Sequence, residues 1–320
     1  MIKIAVDKIN NWIFVTGAPR TGTTFVGMNL SLPIEVDYIH EPFNPQCGLP
    51  GITDWYRYIR PSLDTDEMQS YHQLIQQIFN YNFRLKTKIP KEDSFSKKLI
   101  KQVLGSRGPF YLRIAKLNPF HNTAIIKDPI GSLMCEYLYT HFNVKPVIIV
   151  KHPTSFVASI KRVNFKLGPF QLSGQSCLIE DYFKHEADLF TQDWSNLVLS
   201  TATLWRIIYK VLLEQASHYG DWNVITHEQL SQEPIPVFKK LYEDLSLPWS
   251  ESVQKKILKQ TQSNNSTEAR RGKVQDFKRN SADIFRMRRD SLSLQERKAI
   301  FEIVEDVALQ IYSRESFDID

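Results

Sequence analysis

Cysteine is scarce in this 320-residue chain, which contains only Cys47, Cys135 and Cys177. An odd number of cysteines cannot all pair within one chain, and their spacing does not match that of a zinc site. The sequence therefore argues against a disulfide-stapled secreted fold and against a cysteine-held metal. We expect reduced thiols, no bound metal and a cytoplasmic protein.

Long apolar runs are also lacking. Residues 1–8 include two lysines and an aspartate and do not resemble the apolar core of a signal peptide. No stretch reaches the roughly 18 uncharged apolar residues of a membrane span. We therefore expect a soluble protein with no transmembrane segment.

A strong charge of either sign is absent too, since 40 basic residues against 35 acidic residues give a net charge of +5. This mildly basic balance suits an anionic nucleotide or substrate and is too weak to favour nucleic acid. At 42% hydrophobic and 12% aromatic residues, the chain can bury a large core. We predict a single domain over residues 1–320, without internal repeats.

The most informative stretch begins where an apolar, strand-type run from Trp12 breaks at Gly17. Gly17 and Gly22 have the spacing of the phosphate-binding loop G-x-x-x-x-G-K-[ST], but Thr23 occupies the lysine position and the cation lies inside the loop, at Arg20. Backbone N–H groups of a glycine turn and the positive end of the following helix favour an anion. The predicted anion-binding residues are Gly17, Pro19, Arg20, Thr21, Gly22, Thr23 and Thr24.

This loop, G-A-P-R-T-G-T-T, resembles the one with which PAPS-dependent sulfotransferases hold the 5′-phosphosulfate of 3′-phosphoadenylyl sulfate (PAPS). An arginine inside the loop is typical of the Golgi carbohydrate and bacterial members of that family. The resemblance implies a P-loop fold, PAPS as co-substrate and sulfuryl transfer. It also assigns Arg20 a catalytic role, because a planar guanidinium can bridge the oxygens of an anion. The Golgi members carry a membrane anchor, so its absence here points to the bacterial type.

A second loop, H-E-P-F-N at residues 40–44, follows a predicted strand over Ile34–Ile39. Ligands of an α/β sheet bind at the carboxyl ends of its strands, so we expect this loop to face the same crevice as Arg20. It resembles a segment of carbohydrate and bacterial sulfotransferases, which implies that Glu41 takes the proton from the attacking hydroxyl. The alternative is a carboxylate that only pairs with a nearby Arg or Lys.

A third predicted strand, Thr123–Lys127, ends at Asp128-Pro129. The family resemblance implies that Lys127 adds positive charge at the sulfuryl group, while Asp128 is a structural partner or a second candidate base. In a metal-dependent kinase or NTPase, Asp128 would instead anchor Mg²⁺ together with Thr24. That alternative requires the P-loop lysine that is missing.

A central apolar strand, Lys145–Val150, leads into Lys151 and a predicted helix over Thr154–Arg162 that contains Ser159. The pattern resembles the strand-R-x-P-x(5)-S element that binds the 3′-phosphate of PAPS in sulfotransferases, with lysine in place of arginine. Lysine offers a single point charge where arginine offers a bidentate pair of donors, so binding of the phosphate is expected to be weaker or less selective. Because ATP has no 3′-phosphate, this second site distinguishes PAPS from ATP.

Two further segments enter the prediction. Residues 48–107 interrupt the α/β alternation and predict an insertion that forms the substrate pocket or a lid, with Trp55, Tyr56 and Tyr58 as residues that either stack on a sugar or pack the insertion. The basic loop at 270–273 resembles the family segment that closes over the 3′-phosphate, which implies a cofactor-binding role for Arg271. A solvated charge run is the alternative.

Together these patterns predict an α/β fold of the P-loop type: a three-layer sandwich with a central, mainly parallel sheet and helices on both faces. Tyr111–Ala115 is a weaker strand candidate, and Cys177–Phe190 is a predicted helix. The predicted activity is transfer of a sulfuryl group from PAPS to a hydroxyl of a carbohydrate or glycolipid. A metal-dependent kinase or NTPase and a non-catalytic module that binds PAPS or its product PAP remain alternatives.

Overall fold

The structure is a computed structural model that describes residues 9–88, 105–261 and 291–320. These residues form two compact units. The first unit consists of residues 9–16, 26–88 and 105–147, and the second of residues 17–25, 148–261 and 291–320. Arg271 and the predicted helix over Phe95–Leu104 lie outside the described residues.

In the described part of the chain, five strands form one parallel sheet with the order β2-β3-β1-β4-β5. The strands are β1 (Asn11–Thr16), β2 (Val36–His40), β3 (Thr123–Lys127), β4 (Val144–Val150) and β5 (Asn223–Thr226). This sheet and its connecting helices confirm the predicted α/β class with a mainly parallel sheet. The continuous apolar runs of the central strands agree with their burial, because strands covered on both faces do not alternate.

The register of the first unit brings three strand ends to one level. Val15 of β1 and His40 of β2 both pair with Lys127 of β3. Residues that directly follow these strands therefore start from neighbouring positions on one edge of the sheet.

The described helices lie between the strands and after the last one. They are α1 (Thr23–Leu30), α2 (Asp66–Phe79), α3 (Arg107–Leu117), α4 (Cys135–Phe142), α5 (Pro153–Val163), α6 (Ser176–Tyr182), α7 (Leu197–His218), α8 (His227–Gln232), α9 (Pro234–Asp244), α10 (Glu251–Thr261) and α11 (Leu294–Ala308). Pro153 occupies the first turn of α5, where a missing N–H is tolerated. Ser293 caps α11, as the sequence predicts, through a capping box with Glu296. No described helix is long and apolar enough to cross a membrane.

Two predicted elements are wrong. Tyr111–Ala115 is part of helix α3 rather than a strand, because Leu112 and Ala115 recur at helical spacing and are buried where α3 packs on β2. The predicted helix Cys177–Phe190 is interrupted after α6, and a separate 3₁₀ turn covers Ala187–Phe190. The rings of Phe183 and Phe190 pack against each other at 5.3 Å across this break, so burial of both rings favours the turn over a continuous helix.

Each unit contains a contact between aromatic side chains. In the first unit, Trp12 of β1 packs on Phe79 of α2, with ring centroids 4.6 Å apart. In the second unit, α7 packs against α5 and α11. Trp205 and Tyr209 of α7 are fully buried there, and their rings contact each other at 4.7 Å.

Candidate functional site

The loop after β1 has the backbone of a tight turn. Gly17 has φ +138° and Gly22 has φ +104°, a region that side-chain-bearing residues rarely adopt. A Cβ at Gly17 would also overlap the carbonyl oxygen of Ile149, so only glycine fits there. Arg20 has φ 66°, a left-handed conformation that is uncommon for a non-glycine residue and is concentrated at functional sites.

Three hydrogen bonds within the second unit hold this loop. The Tyr209 hydroxyl donates to the carbonyl of Ile149 at 2.6 Å and accepts the N–H of Ala18 at 3.1 Å. The Thr21 hydroxyl donates to the carbonyl of Ala18 at 2.7 Å. Tyr209 therefore links the loop to the end of β4 by hydrogen bonds. Tyr209 is not among the residues that the sequence predicts for the site.

The start of α1 is suited to an anion. Thr23 and Thr24 begin the helix, are almost completely buried and have no acidic residue in their turn to compete for the N–H groups. The first N–H groups of a helix have no partner within the helix and carry the positive end of its dipole. The predicted loop–helix junction is therefore present in the structure.

Arg20 and Ser159, which are 139 positions apart, meet in the second unit. The Nε–H of Arg20 donates to the Ser159 hydroxyl at 3.0 Å, and Ser159 lies fully buried on α5. The sequence places these two residues in separate phosphate-binding elements. In the structure, this hydrogen bond joins one residue of each element.

Lys151 follows β4 directly and is 1% exposed. Its carbonyl accepts the indole N–H of Trp205 at 2.9 Å, and its positive charge acts on the carboxylate of Glu228. Burial raises the pKa of Glu228, whereas the charge of Lys151 and a hydrogen bond from the Tyr312 hydroxyl at 2.8 Å oppose that rise. Glu228 is thus a countercharge for Lys151, a role that the sequence analysis missed.

The first unit contains a separate cluster around Glu41. The Glu41 N–H donates to the carbonyl of Lys127 at 2.8 Å, and the buried Lys127 ammonium pairs with Oε1 of the Glu41 carboxylate. Glu41 has φ 50°, so its backbone is left-handed like that of Arg20. The structure thus brings together two residues that the sequence analysis selected independently.

Further groups orient the Glu41 carboxylate. Oε2 accepts the side-chain N–H of Asn44 at 2.8 Å, and Nε2 of His40 lies 3.7 Å from Oε1. Burial opposes ionisation of Glu41, but the charge of Lys127 and the hydrogen bonds from Lys127 and Asn44 outweigh it. The pKa of Glu41 is held below its ordinary value, so the carboxylate is ionised at neutral pH.

Asp128 joins two loops by hydrogen bonds to backbone groups. Its Oδ2 accepts the N–H of Phe43 at 2.6 Å, and its Oδ1 accepts the N–H groups of Ile130 and Gly131 at 2.8 and 3.3 Å. Burial and then the charge of Glu41 raise its pKa. These contacts match the structural role that the sequence analysis held open for Asp128.

His40 is almost completely buried at the end of β2, and its Nδ1 lies 3.0 Å from the Tyr38 hydroxyl. Burial, followed by the charge of Lys127, lowers the pKa of His40 well below its ordinary value, so the ring is neutral. Burial raises the pKa of Tyr38 well above its ordinary value, so the hydroxyl keeps its proton. The spacing of two residues could have drawn attention to this pair, since positions 38 and 40 share a face of the strand.

No protein-family model matches this chain, and no curated protein matches it. Among solved structures, it is similar to a sulfotransferase domain from the Synechococcus PCC 7002 olefin synthase, at 12% identity over 96% of both chains with a TM-score of 0.44. It is also similar to a sulfotransferase domain from the curacin biosynthetic pathway, at 15% identity over 77% of both chains with a TM-score of 0.42. For mouse sulfotransferase SULT7A1 complexed with PAP, the identity is 12% over 97% of this chain and 88% of that one, with a TM-score of 0.38. These similarities are distant, and the chemistry of this chain has to be derived from its own residues.

Proposed function

We propose that this protein transfers a sulfuryl group from PAPS to a hydroxyl acceptor. The observation that carries the proposal is the hydrogen bond from Arg20 to Ser159. PAPS has two anionic ends, a 5′-phosphosulfate and a 3′-phosphate, and needs an anion site for each. Here a loop of phosphate-binding type and a buried serine of the second predicted phosphate site belong to one connected arrangement.

The residues fit the nucleotide by their donor chemistry. Arg20 and the N–H groups of residues 21–24, in the loop of Gly17, Pro19 and Gly22, would hold the 5′-phosphosulfate. Lys151 and Ser159 would hold the 3′-phosphate, and Arg271 would add a contact from outside the described residues. The carboxylate of Glu228 interacts electrostatically with Lys151 in the same unit, which supports a cationic role for this buried lysine.

PAPS supplies the sulfuryl group, whose S–O bond to the 5′-phosphate breaks as the acceptor oxygen bonds to sulfur and PAP leaves. Glu41 would take the proton of the acceptor hydroxyl on its carboxylate. Arg20 would offset the charge of the phosphosulfate, and Lys127 would be the cation that offsets the negative charge developing on the transferred oxygens. A sulfuryl group carries less charge than a phosphoryl group, so these cations suffice in the proposed reaction.

The resting arrangement of Glu41 has a consequence for catalysis. While Lys127 pairs with Oε1, the low pKa of Glu41 makes it a weak base. If the Lys127 ammonium turns toward the sulfuryl oxygens, the pairing is lost and burial raises the basicity of the carboxylate. One lysine movement would thus supply charge stabilisation and activate the base.

The contacts of Asp128 weigh against the kinase or NTPase alternative. Both of its oxygens accept backbone N–H groups within the first unit, and its side chain is fully buried. A Mg²⁺-anchoring carboxylate would have to give up such bonds to face the metal and its waters. The missing loop lysine points the same way.

A carbohydrate or glycolipid hydroxyl is the acceptor that we propose. Of the three aromatic residues considered for sugar stacking, Tyr56 and Tyr58 are buried in the first unit, and only Trp55 is partly exposed. Trp55 is therefore the one of the three that can stack on a sugar ring. We also propose a cytoplasmic location.

The test is incubation of the purified protein with PAPS and a panel of sugars and glycolipids, with PAP formation and label transfer measured together. Acceptor-dependent PAP formation supports the proposal. PAP binding without acceptor-dependent turnover across the panel would favour the non-catalytic module. Phosphoryl transfer from ATP that depends on Mg²⁺ would contradict the proposal.

A further inference from the structure

Tyr38 and His40 form a hydrogen-bonded chain that leads to Glu41. Both side chains come from β2, two residues apart and therefore on one face of the strand. The Tyr38 hydroxyl lies 3.0 Å from Nδ1 of His40, and Nε2 of the same ring lies 3.7 Å from Oε1 of Glu41. The ring thus has one nitrogen toward a hydroxyl and the other toward the carboxylate.

The Glu41 carboxylate gives this chain a direction, because an ionised carboxylate can only accept hydrogen bonds. A neutral His40 whose Nε2 faces Oε1 is therefore favoured with its single ring proton on Nε2, which leaves Nδ1 to accept the Tyr38 hydroxyl. His40 therefore presents an N–H to Glu41. A carboxylate partner that fixes or uses one imidazole tautomer is a common way to orient a reactive group.

The distance of 3.7 Å leaves His40 just outside hydrogen-bond range of Oε1, the same oxygen that Lys127 occupies. A movement of about 0.5–1 Å would bring Nε2 and Oε1 to a normal separation. His40 is thus placed to take over Oε1 when Lys127 leaves it. The side-chain N–H of Asn44 donates to the other oxygen, Oε2.

We infer that Tyr38 and His40 are positioning residues for Glu41: Tyr38 fixes the His40 tautomer, and the Nε2–H of His40 holds the carboxylate once Lys127 has turned away. The inference rests on the proposed function, because it assigns Glu41 the role of base. It adds two residues that would act through Glu41. The titratable and charged groups that face this chain are Cys47, Arg107, Tyr111, Lys127 and Asp128.

The first test is the tautomer of His40, measured in the wild-type protein and in Tyr38→Phe by long-range ¹H–¹⁵N NMR spectra of the histidine ring. We expect the Nε2–H tautomer in the wild type and a mixture in Tyr38→Phe. Tyr111→Phe is the matched control. The Tyr111 ring contacts the Tyr38 ring edge-on at 5.0 Å, and this variant removes a hydroxyl that is not part of the hydrogen-bonded chain from Tyr38 to Glu41. An Nδ1–H tautomer in the wild type would overturn the inference whatever the activity of the protein.

The second test is kinetic. Tyr38→Phe should lower kcat about tenfold and His40→Leu should lower it about 10- to 100-fold. This range is typical of residues that hold and orient a reactive side chain. His40→Gln, which keeps an N–H near the Nε2 position, should retain more activity than His40→Leu. Affinity for PAP should stay unchanged in all three variants.

The pH profile separates positioning from a loss of folding. Removing a donor to the carboxylate raises the pKa of Glu41, so the acid limb of kcat should move to higher pH in His40→Leu and stay in place in Tyr111→Phe. A lower kcat with an unmoved acid limb, or equal activity of His40→Gln and His40→Leu, would contradict the inference. An inactive wild type would instead count against the proposed function, and the NMR result would still decide the His40 arrangement.

Discussion

At the scale of single residues, Arg20 and Glu41 share an uncommon backbone conformation, with φ 66° and φ 50°. Such left-handed non-glycine residues cost free energy, of order 1–3 kcal/mol each, and persist where the surrounding structure holds them. Both residues were selected from sequence for their chemistry, without knowledge of their backbone angles. Seven other described non-glycine residues also have a positive φ, so the conformation alone does not assign a function to either residue.

Glu41→Gln should abolish most turnover and leave nucleotide binding intact. The amide keeps the shape of the side chain but cannot accept the acceptor proton, so kcat should fall roughly 10²- to 10⁴-fold. The measurement is kcat for sulfuryl transfer beside the calorimetric Kd for PAP. Glu251→Gln, a change at an exposed glutamate, is the control. Full activity of Glu41→Gln would remove Glu41 from the mechanism.

Lys127→Met should change the pH dependence of the reaction. Lys127 is the main group that lowers the pKa of Glu41 against the effect of burial. Without that charge the pKa of Glu41 in the free enzyme rises, the ionised base is lost at a higher pH, and the acid limb of kcat/KM moves upward. A pH–rate profile measures this shift.

Lys116→Met is the matched control for that profile, because Lys116 is a partly buried lysine of the same unit whose ammonium donates to the carbonyl of Phe83. Its acid limb should coincide with that of the wild type. An acid limb that does not move in Lys127→Met would show that the pair does not set the ionisation of the base.

At the scale of elements, the second unit connects the loop after β1 to α5 through Arg20 and Ser159. This connection predicts that the two phosphate sites are coupled. Ser159→Ala should weaken binding of PAP at least tenfold, the effect of a lost hydrogen bond to a charged group, and should weaken binding of adenosine 5′-phosphate much less. Ser155→Ala, one turn earlier on α5 and also buried, is the matched control.

Equal losses for both nucleotides in Ser159→Ala would indicate a general disturbance of the loop and would contradict the assignment of Ser159 to the 3′-phosphate. The comparison is made by calorimetric titration of each variant with each nucleotide. Retained affinity for adenosine 5′-phosphate also shows that the loop is still folded.

The strands and most helices could be predicted from sequence, because their signals are local. The apolar run Lys145–Val150 became β4, and the N-cap serine at 293 starts α11. Tyr111–Ala115 was misassigned because a short apolar run does not distinguish a strand from a buried helix turn. Its helical conformation depends on packing against β2, and that contact cannot be predicted from the segment alone.

At the scale of the whole molecule, the pairings within the site could not be predicted. The bond from Ala18 to Tyr209 joins residues 191 positions apart, and nothing in the sequence of α7 distinguishes Tyr209 from other buried residues of that helix. The charge interaction between Lys151 and Glu228 could not be predicted for the same reason. Residue types and spacing predicted which groups take part, whereas the fold determines which of them meet. The single domain over residues 1–320 remains a prediction.

The central claim is that the chain binds a nucleotide with a 5′-anion and a 3′-phosphate without a metal. The measurement that tests it most directly is calorimetric titration with 3′,5′-adenosine bisphosphate and, separately, with ATP, each in EDTA and then in Mg²⁺. We predict tight binding of the bisphosphate that is the same in EDTA and Mg²⁺, with much weaker binding of ATP. Binding of ATP that appears only with Mg²⁺, with no preference for the bisphosphate, would contradict the account.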